Sequence, residues 1–198
     1  QWRVATDQDM HRVVLQGTSH APAELAHSVH VEAEGLRPDT EYFYEFRHRN
    51  HTSPVGRTKT LPAPGADVDR LDFAFVSCQR WEHGFFPSYR HLAAEDLDLV
   101  VHLGDYVYEY EVPADGGLRR TPTPAAARPA PQTLDQWRAR YALYKSDPDL
   151  QAAHARFPFV VTWDDHEVAN DYAGGWAGQT EAFTAVRAVA YQAYYKHQ

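Results

Sequence analysis

The sequence predicts two domains, an amino-terminal all-β sandwich followed by an α/β domain whose β-sheet core is flanked by helices. Three observations lead there. From Gln1 to about Leu61 the pattern is all-β, with short apolar runs set between turn residues. Leu61-Pro62-Ala63-Pro64-Gly65-Ala66 then holds two prolines and a glycine without apolar periodicity, which marks a boundary. Beyond Leu71, short apolar runs alternate with helical patterns, as βαβ units and a parallel sheet require. The bounds are residues 1–62 for the sandwich, 63–70 for a linker and 71–198 for the α/β domain.

In the first domain, Arg12 to Thr18 reads as one strand, and Ser28 to Ala33 alternates apolar and polar residues as a half-buried strand should. Pro38-Asp39-Thr40 is a turn signal, and Tyr42, Tyr44 and Phe46 fall on one face of the strand that follows. The arrangement of Leu36, Pro38, Thr40, Tyr42 and Tyr44 resembles the tyrosine corner of fibronectin type III sandwiches, where a tyrosine hydroxyl ties back to the backbone before the strand. Thr58-Lys59-Thr60 is the last strand. About 60 residues is short for that sandwich, so an amino-terminal strand or two is expected to be missing. No catalytic constellation lies here, and His27, His30, His48 and His51 read as surface residues.

Composition narrows the function classes. The chain has 198 residues, 43% hydrophobic and 23% charged, enough for a sizeable core. A net charge of -8 argues against a general binder of nucleic acid or anionic membrane, though bound cations can reverse the local field for an anionic substrate. A single cysteine excludes an intrachain disulfide, and no apolar run is long enough to span a membrane. Gln1-Trp2-Arg3 opens directly into a strand-like pattern without a visible signal peptide, so the chain reads as processed or excised.

In the second domain, Phe73 to Val76 reads as a buried strand ending in Ser77-Cys78-Gln79, Ser88 to Glu95 as helical, and Leu97 to Leu103 as a strand buried on both faces. Strand, helix, strand is a βαβ unit, so both strand ends lie on one edge and Cys78 sits beside Asp105. A lone cysteine is most often a small buried hydrophobe, and that adjacency raises Cys78 above it. Gly104 lets the backbone turn where the strand stops. Asp105 then projects from the carboxyl end, where open α/β sheets place ligand sites, with Tyr108 one turn further on. Gly-Asp at a strand end serves equally well as a helix or turn cap, so its meaning depends on the rest of the chain.

Residues 113–131 are rich in Pro, Ala, Gly and Arg and read as an irregular surface insertion, its Arg119, Arg120 and Arg128 solvated. Thr133 to Ala155 is helical with a core stripe of Leu134, Trp137, Tyr141 and Tyr144, and Ala182 to Tyr195 is helical again. Between them, the apolar strand Phe157 to Trp163 ends in Asp164-Asp165-His166-Glu167-Val168-Ala169-Asn170-Asp171. Four acidic residues there are costly unless cations or an internal hydrogen-bond network compensate them.

Three strand ends thus carry a thiol, a carboxylate with a phenol, and carboxylates with an imidazole, which describes a polynuclear metal site. Asp105, shared by two ions, would bridge them at about 3.5–4 Å. Thiolate and phenolate suit a strongly Lewis-acidic ion such as Fe(III), while carboxylates alone suit Ca or Mg.

The segments Phe75 to Gln79, His102 to Glu109 and Trp163 to Val168, in this order, closely resemble the PhoD-type alkaline phosphatases and phosphodiesterases of the calcineurin-like metallophosphoesterase superfamily. The Gly-Asp-x-x-Tyr element is also similar to the purple acid phosphatases, which place an Asp where this chain has Cys78. The resemblance implies one Fe(III) and calcium. Cys78, Asp105 and Tyr108 would be iron ligands, with Asp105 bridging to calcium and Asp165 a calcium ligand. His166 would stabilise the phosphoryl transition state or protonate the leaving oxygen, while a metal-bound hydroxide or oxide attacks phosphorus. Asp164, Glu167 and Asn170 would support these ligands from behind. The family completes its site with later histidine and Asp-x-His motifs, and this sequence stops at Gln198 before any, so a carboxy-terminally truncated domain with an incomplete site is expected.

The function implied is metal-dependent hydrolysis of phosphomonoesters, phosphodiesters or both, by a secreted or periplasmic protein. Other readings are a nucleotidase or phospholipase of the same superfamily, and a non-catalytic binding or cell-surface module. A phosphate ester is the expected partner, with no specific nucleic-acid binding.

Overall fold

The computed structural model describes residues 1–173 and 180–198. The chain divides into two compact units. One comprises Gln1–Ala74, Tyr89–Val101 and Ala152–Val160, and the other Phe75–Ser88, His102–Gln151 and Val161–Gln198.

The first unit is built on β1 (Trp2–Ala5), β2 (Val13–Gly17), β3 (Glu41–His48), β4 (His51–Thr52) and β5 (Gly56–Lys59), joined in one sheet of order β2-β1-β3-β4 with β5 also on β3. The pairing of β1 with β2 and β3, and of β3 with β4 and β5, is antiparallel, and Trp2 stands opposite both Gly17 and Phe46. Gly17 is required there, because a Cβ would lie 2.5 Å from the Trp2 ring. Tyr42 is buried and its hydroxyl accepts a hydrogen bond from the Arg37 N–H at 3.0 Å, five residues upstream. This bond fixes the turn that launches β3.

The strand expected over Ser28 to Ala33 does not form, and residues 18–40 contain no strand. Val31 and Ala33 instead line an apolar cavity of about 240 Å³ with Trp2, Val4, Leu36 and Tyr44. Period-two alternation reports which side chains face the sheet, and an extended segment can satisfy it without joining a ladder. His27, His30, His48 and His51 are exposed, as expected.

A second sheet has the order β6-β7-β8, formed by β6 (Phe73–Val76), β7 (Leu99–His102) and β8 (Phe159–Val161). It is parallel: Asp98 N to Asp72 O and Leu103 N to Val76 O advance together along both strands, as do Val100 N to Pro158 O and Thr162 N to His102 O. The expectation of strands buried on both faces needs correction. Val100 and His102 are fully buried, but Phe73, Phe75 and Val160 are 52%, 69% and 54% exposed. A parallel strand reads as apolar on both faces whether or not both are covered, so the sequence alone does not reveal the difference.

The helices are α1 (Pro87–Leu92), α2 (Leu134–Tyr144), α3 (Pro148–Arg156) and α4 (Glu181–His197). Thr133 caps α2 in a capping box with Gln136. Trp137, Tyr141 and Tyr144 are buried on the expected stripe. The single helix expected over Thr133 to Ala155 is broken in two. Pro148 lacks an N–H and starts α3, and the Asp147 carboxylate accepts from Asp149 N at 3.0 Å and Leu150 N at 3.1 Å.

The insertion at 113–131 is irregular apart from single turns at Gly117–Arg119 and Ala125–Ala127. Arg120 and Arg128 are exposed, but Arg119 is not a solvated arginine. Its side chain is 3% exposed and pairs with Asp147 at 2.8 Å, its Nε donates to the Trp81 and Gly84 carbonyls, and its guanidinium lies 4.5 Å from the Trp81 ring. A buried arginine with carbonyl, carboxylate and aromatic partners anchors the loop, an arrangement that loop composition hides.

Candidate metal centre

The site forms within the second unit, beyond the ends of β6 and β7 and after β8. Cys78 N donates to Gly104 O at 3.3 Å and Gln79 N to Asp105 O at 3.2 Å, so the two strand-end loops run side by side. Both Cys78 (φ 59) and Asp105 (φ 56) adopt the left-handed conformation, which costs free energy for residues other than glycine and collects at functional sites. Gly104, at φ +103, could not carry a side chain: a Cβ would sit 2.4 Å from Asp164 N. That close approach lays the Asp164-Asp165-His166-Glu167 turn against the Asp105 loop.

Glu167 locks the two turns together. Its carboxylate is 1% exposed and accepts from Asp105 N at 3.0 Å, Tyr106 N at 2.5 Å and Asp164 N at 2.8 Å. Burial pushes its carboxyl up, against the pull of these three donors. It is the internal network that the acidic run required. Asp164 enters it only through its backbone N–H; its side chain is exposed.

The ligand-type atoms converge in front of this frame. Asp105, Asp165 and His166 each offer an atom within 4.8 Å of the others. Tyr108 donates its hydroxyl to Asp105 Oδ2 at 3.0 Å and also meets the Cys78 side chain. Burial first, then the Asp105 charge and Cys78, push the Tyr108 phenol well up, so without a cation it stands as an O–H donor. Asp105 is 6% exposed, and its other oxygen, Oδ1, is buried with no hydrogen-bond partner among the described residues. A buried carboxylate oxygen left bare on a residue grouped with a second carboxylate, an imidazole and a phenol is a donor set that a hard, highly charged cation fits, and the exposed Cys78 thiol joins it through Tyr108. Asp7, Asp9 and His11 also cluster, in the first unit, but there Asp7 is already taken by the N–H groups of His11 and Arg12.

Asn170 stands at the rim, its N–H on Glu109 Oε1 at 2.8 Å and its Oδ1 accepting from the Tyr110 hydroxyl at 3.0 Å. The structure thus brings Asp105, Tyr108, Asp165 and His166 together, with Cys78 alongside on the adjoining loop; Glu167 ties the two turns from inside, and Asn170 meets the group only through Glu109 and Tyr110. Sequence reasoning passed over two residues. Glu109 holds His166 Nδ1 at 2.8 Å through Oε2 while Oε1 takes Asn170 N. Arg80 lies 4.5 Å from the Tyr110 ring centroid and 5.8 Å from that of Tyr108. Glu109 stands inside a motif already singled out, but no local pattern shows that its partner lies 57 residues away.

Buried His102 gives the site an acid limit. Its Nδ1 accepts the Gly104 N–H at 3.3 Å, which needs the neutral ring, and burial together with Lys145 lowers its pKa from 6.5 to about 4. The unfolded chain therefore binds this proton more readily. The histidine's contribution is complete above about pH 6.5 and is lost as pH falls toward 4, about 3 kcal/mol in all. Denaturant midpoints measured from pH 7.5 to 4 should fall accordingly. In His102→Asn, whose Oδ1 can take the same bond, that part of the decline should vanish.

A family model described as "PhoD-like phosphatase" matches residues 73–198, and one described as "PhoD-like phosphatase, N-terminal domain" matches residues 1–62. The chain is 54% identical over 202 residues to alkaline phosphatase D of Bacillus subtilis (strain 168), covering 99% of this chain and 34% of that protein. A solved structure titled "Structure of PhoD" matches with a TM-score of 0.90 and 52% identity, over 100% of this chain and 38% of that one. The chain therefore spans about a third of the length of the relatives it matches. On these matches and its strand-end motifs, the chain belongs to the PhoD-like phosphatase family.

Proposed function

We propose that the full-length protein hydrolyses phosphate esters at the cluster centred on Asp105, in a metal-dependent reaction. The observation that carries this reading is the bare, buried Oδ1 on the Asp105 carboxylate, a carboxylate that offers an oxygen within 4.8 Å of Asp165 and His166 ligand atoms. Cys78, Asp105 and Tyr108 would hold iron(III), and Asp105 and Asp165 calcium, since thiolate and phenolate favour the more Lewis-acidic ion and carboxylates the harder one. When bound, such ions supply charge stabilisation and an activated oxygen nucleophile.

The chain's own residues supply the rest. Glu109 occupies the Nδ1 side of His166 and leaves Nε2 as the nitrogen available to a substrate oxygen, suited to proton donation or to transition-state hydrogen bonding. Glu167 holds the two ligand loops at fixed separation. The substrate class is phosphomonoesters, phosphodiesters or both. A secreted or periplasmic location accords with this family reading, as does a fibronectin III-like amino-terminal domain over 1–62, supported by the Tyr42 hydroxyl bond to Arg37 N.

The test is phosphate and p-nitrophenol release from p-nitrophenyl phosphate and bis(p-nitrophenyl) phosphate by the full-length protein, before and after chelation. Hydrolysis lost on chelation and restored by iron and calcium is the expected result. No hydrolysis of either ester by the metal-loaded protein would overturn the proposal.

A further inference from the structure

Arg80 is held in place in a way that, among the described residues, leaves most of its hydrogen-bonding capacity unused. Its Nε donates to Glu82 Oε1 at 2.5 Å, and Glu82 is itself 5% exposed, so the stem of the guanidinium is fixed from inside the protein. The cation stacks over Tyr110 at 4.5 Å and reaches the Tyr108 ring at 5.8 Å. The same two rings carry His166, with centroid separations of 4.3 Å to Tyr108 and 5.4 Å to Tyr110. Arg80 and His166 therefore share one aromatic wall, with the Asp105 carboxylate bonded to Tyr108 at its edge. The two terminal amino groups of Arg80 make no hydrogen bond to any described residue, and the side chain is 29% exposed.

We propose that Arg80 is a specificity-determining residue that takes the non-bridging oxygens of a bound phosphoryl group and favours monoester dianions over diesters. The inference rests on the phosphoesterase reading above and names the substrate subclass for it. A guanidinium offers two parallel donors matched to two phosphoryl oxygens, and stacking plus the Glu82 bond pre-orients it so that little freedom is lost on binding. A phosphomonoester near neutral pH carries close to two negative charges where a diester carries one. It also has three unesterified oxygens to a diester's two, so with one given to bound cations it would still offer the fork a pair where a diester would offer one. Tyr110, on which Arg80 stacks, also feels the Glu109, Asp165 and Asp171 carboxylates, and in that acidic setting a fixed cation lowers the cost of bringing in the second charge.

The experiment uses the full-length, metal-loaded protein with Arg80→Gln, which keeps an N–H donor for Glu82 but removes charge and fork, and Arg80→Lys, which keeps only the charge. For Arg80→Gln, kcat/KM for p-nitrophenyl phosphate should fall about 10–100-fold and that for bis(p-nitrophenyl) phosphate by no more than about threefold. Calorimetric titration with inorganic phosphate should show a matching loss of affinity. Arg80→Lys should show an intermediate loss on the monoester, and it decides the question if Arg80→Gln does not fold. A folded variant that loses both activities equally, or that binds phosphate as tightly as the wild type, overturns the assignment. A wild type that hydrolyses neither ester and binds no phosphate fails the functional reading itself, which separates the two failures.

Discussion

Replacing Asp105 with alanine will strip the metal from the full-length protein and lower phosphate-ester hydrolysis by about a thousandfold or more. The size follows from where this carboxylate stands. It is the most buried of the clustered donors, it carries the bare Oδ1, and its Oδ2 holds the Tyr108 hydroxyl. Alanine thus removes the carboxylate proposed as a shared ligand and also frees Tyr108, whose phenol burial already keeps protonated. The backbone effect is smaller: Asp105 N still reaches Glu167, and alanine at φ 56 adds only local strain. Circular dichroism should therefore be close to wild type while elemental analysis shows the metal gone. A variant retaining metal and rate would refute the assignment of Asp105.

The second large effect is on stability. Glu167→Ala should cost about 3–5 kcal/mol, because it removes in one step the acceptor of three backbone N–H groups, those of Asp105, Tyr106 and Asp164. Each buried donor left without a partner costs about 1–3 kcal/mol, and the space is closed to bulk water at 1% exposure. Glu167→Gln should be intermediate, since its amide keeps one acceptor oxygen but turns its NH₂ toward a backbone donor. Denaturant unfolding monitored by tryptophan fluorescence reads the effect. A loss below about 1 kcal/mol for the alanine variant would mean the frame is held by something other than Glu167.

Much of this site was legible because its chemistry sits at strand ends. An apolar run followed by Gly104-Asp105, or by Asp164-Asp165-His166, puts charge where the chain leaves the sheet, and a βαβ connection then forces Cys78 and Asp105 together. Gly104 also reads correctly as the turn residue, although its second reason, the approach of Asp164 N, is a tertiary fact. What stayed hidden depends on partners distant in sequence. Val31 and Ala33 alternate like a strand yet only rest against one. The helical stripe of Leu134 to Tyr144 runs on smoothly in pattern, but Pro148 and the Asp147 cap end it. Arg119 lies in a loop of solvated composition and is nonetheless buried on an aspartate 28 residues away. Glu109 closes one recognisable motif and Arg80 follows another, but only the fold shows that one steadies an imidazole and that the other's fork meets no hydrogen-bond acceptor among the described residues.

The most direct test of the central claim is the metal content and visible spectrum of the full-length protein purified from its natural source, alongside Tyr108→Phe. Iron and calcium should be present, with a broad visible phenolate-to-iron band that is lost in the phenylalanine variant. A colourless, metal-free protein that hydrolyses phosphate esters at full rate would contradict the account.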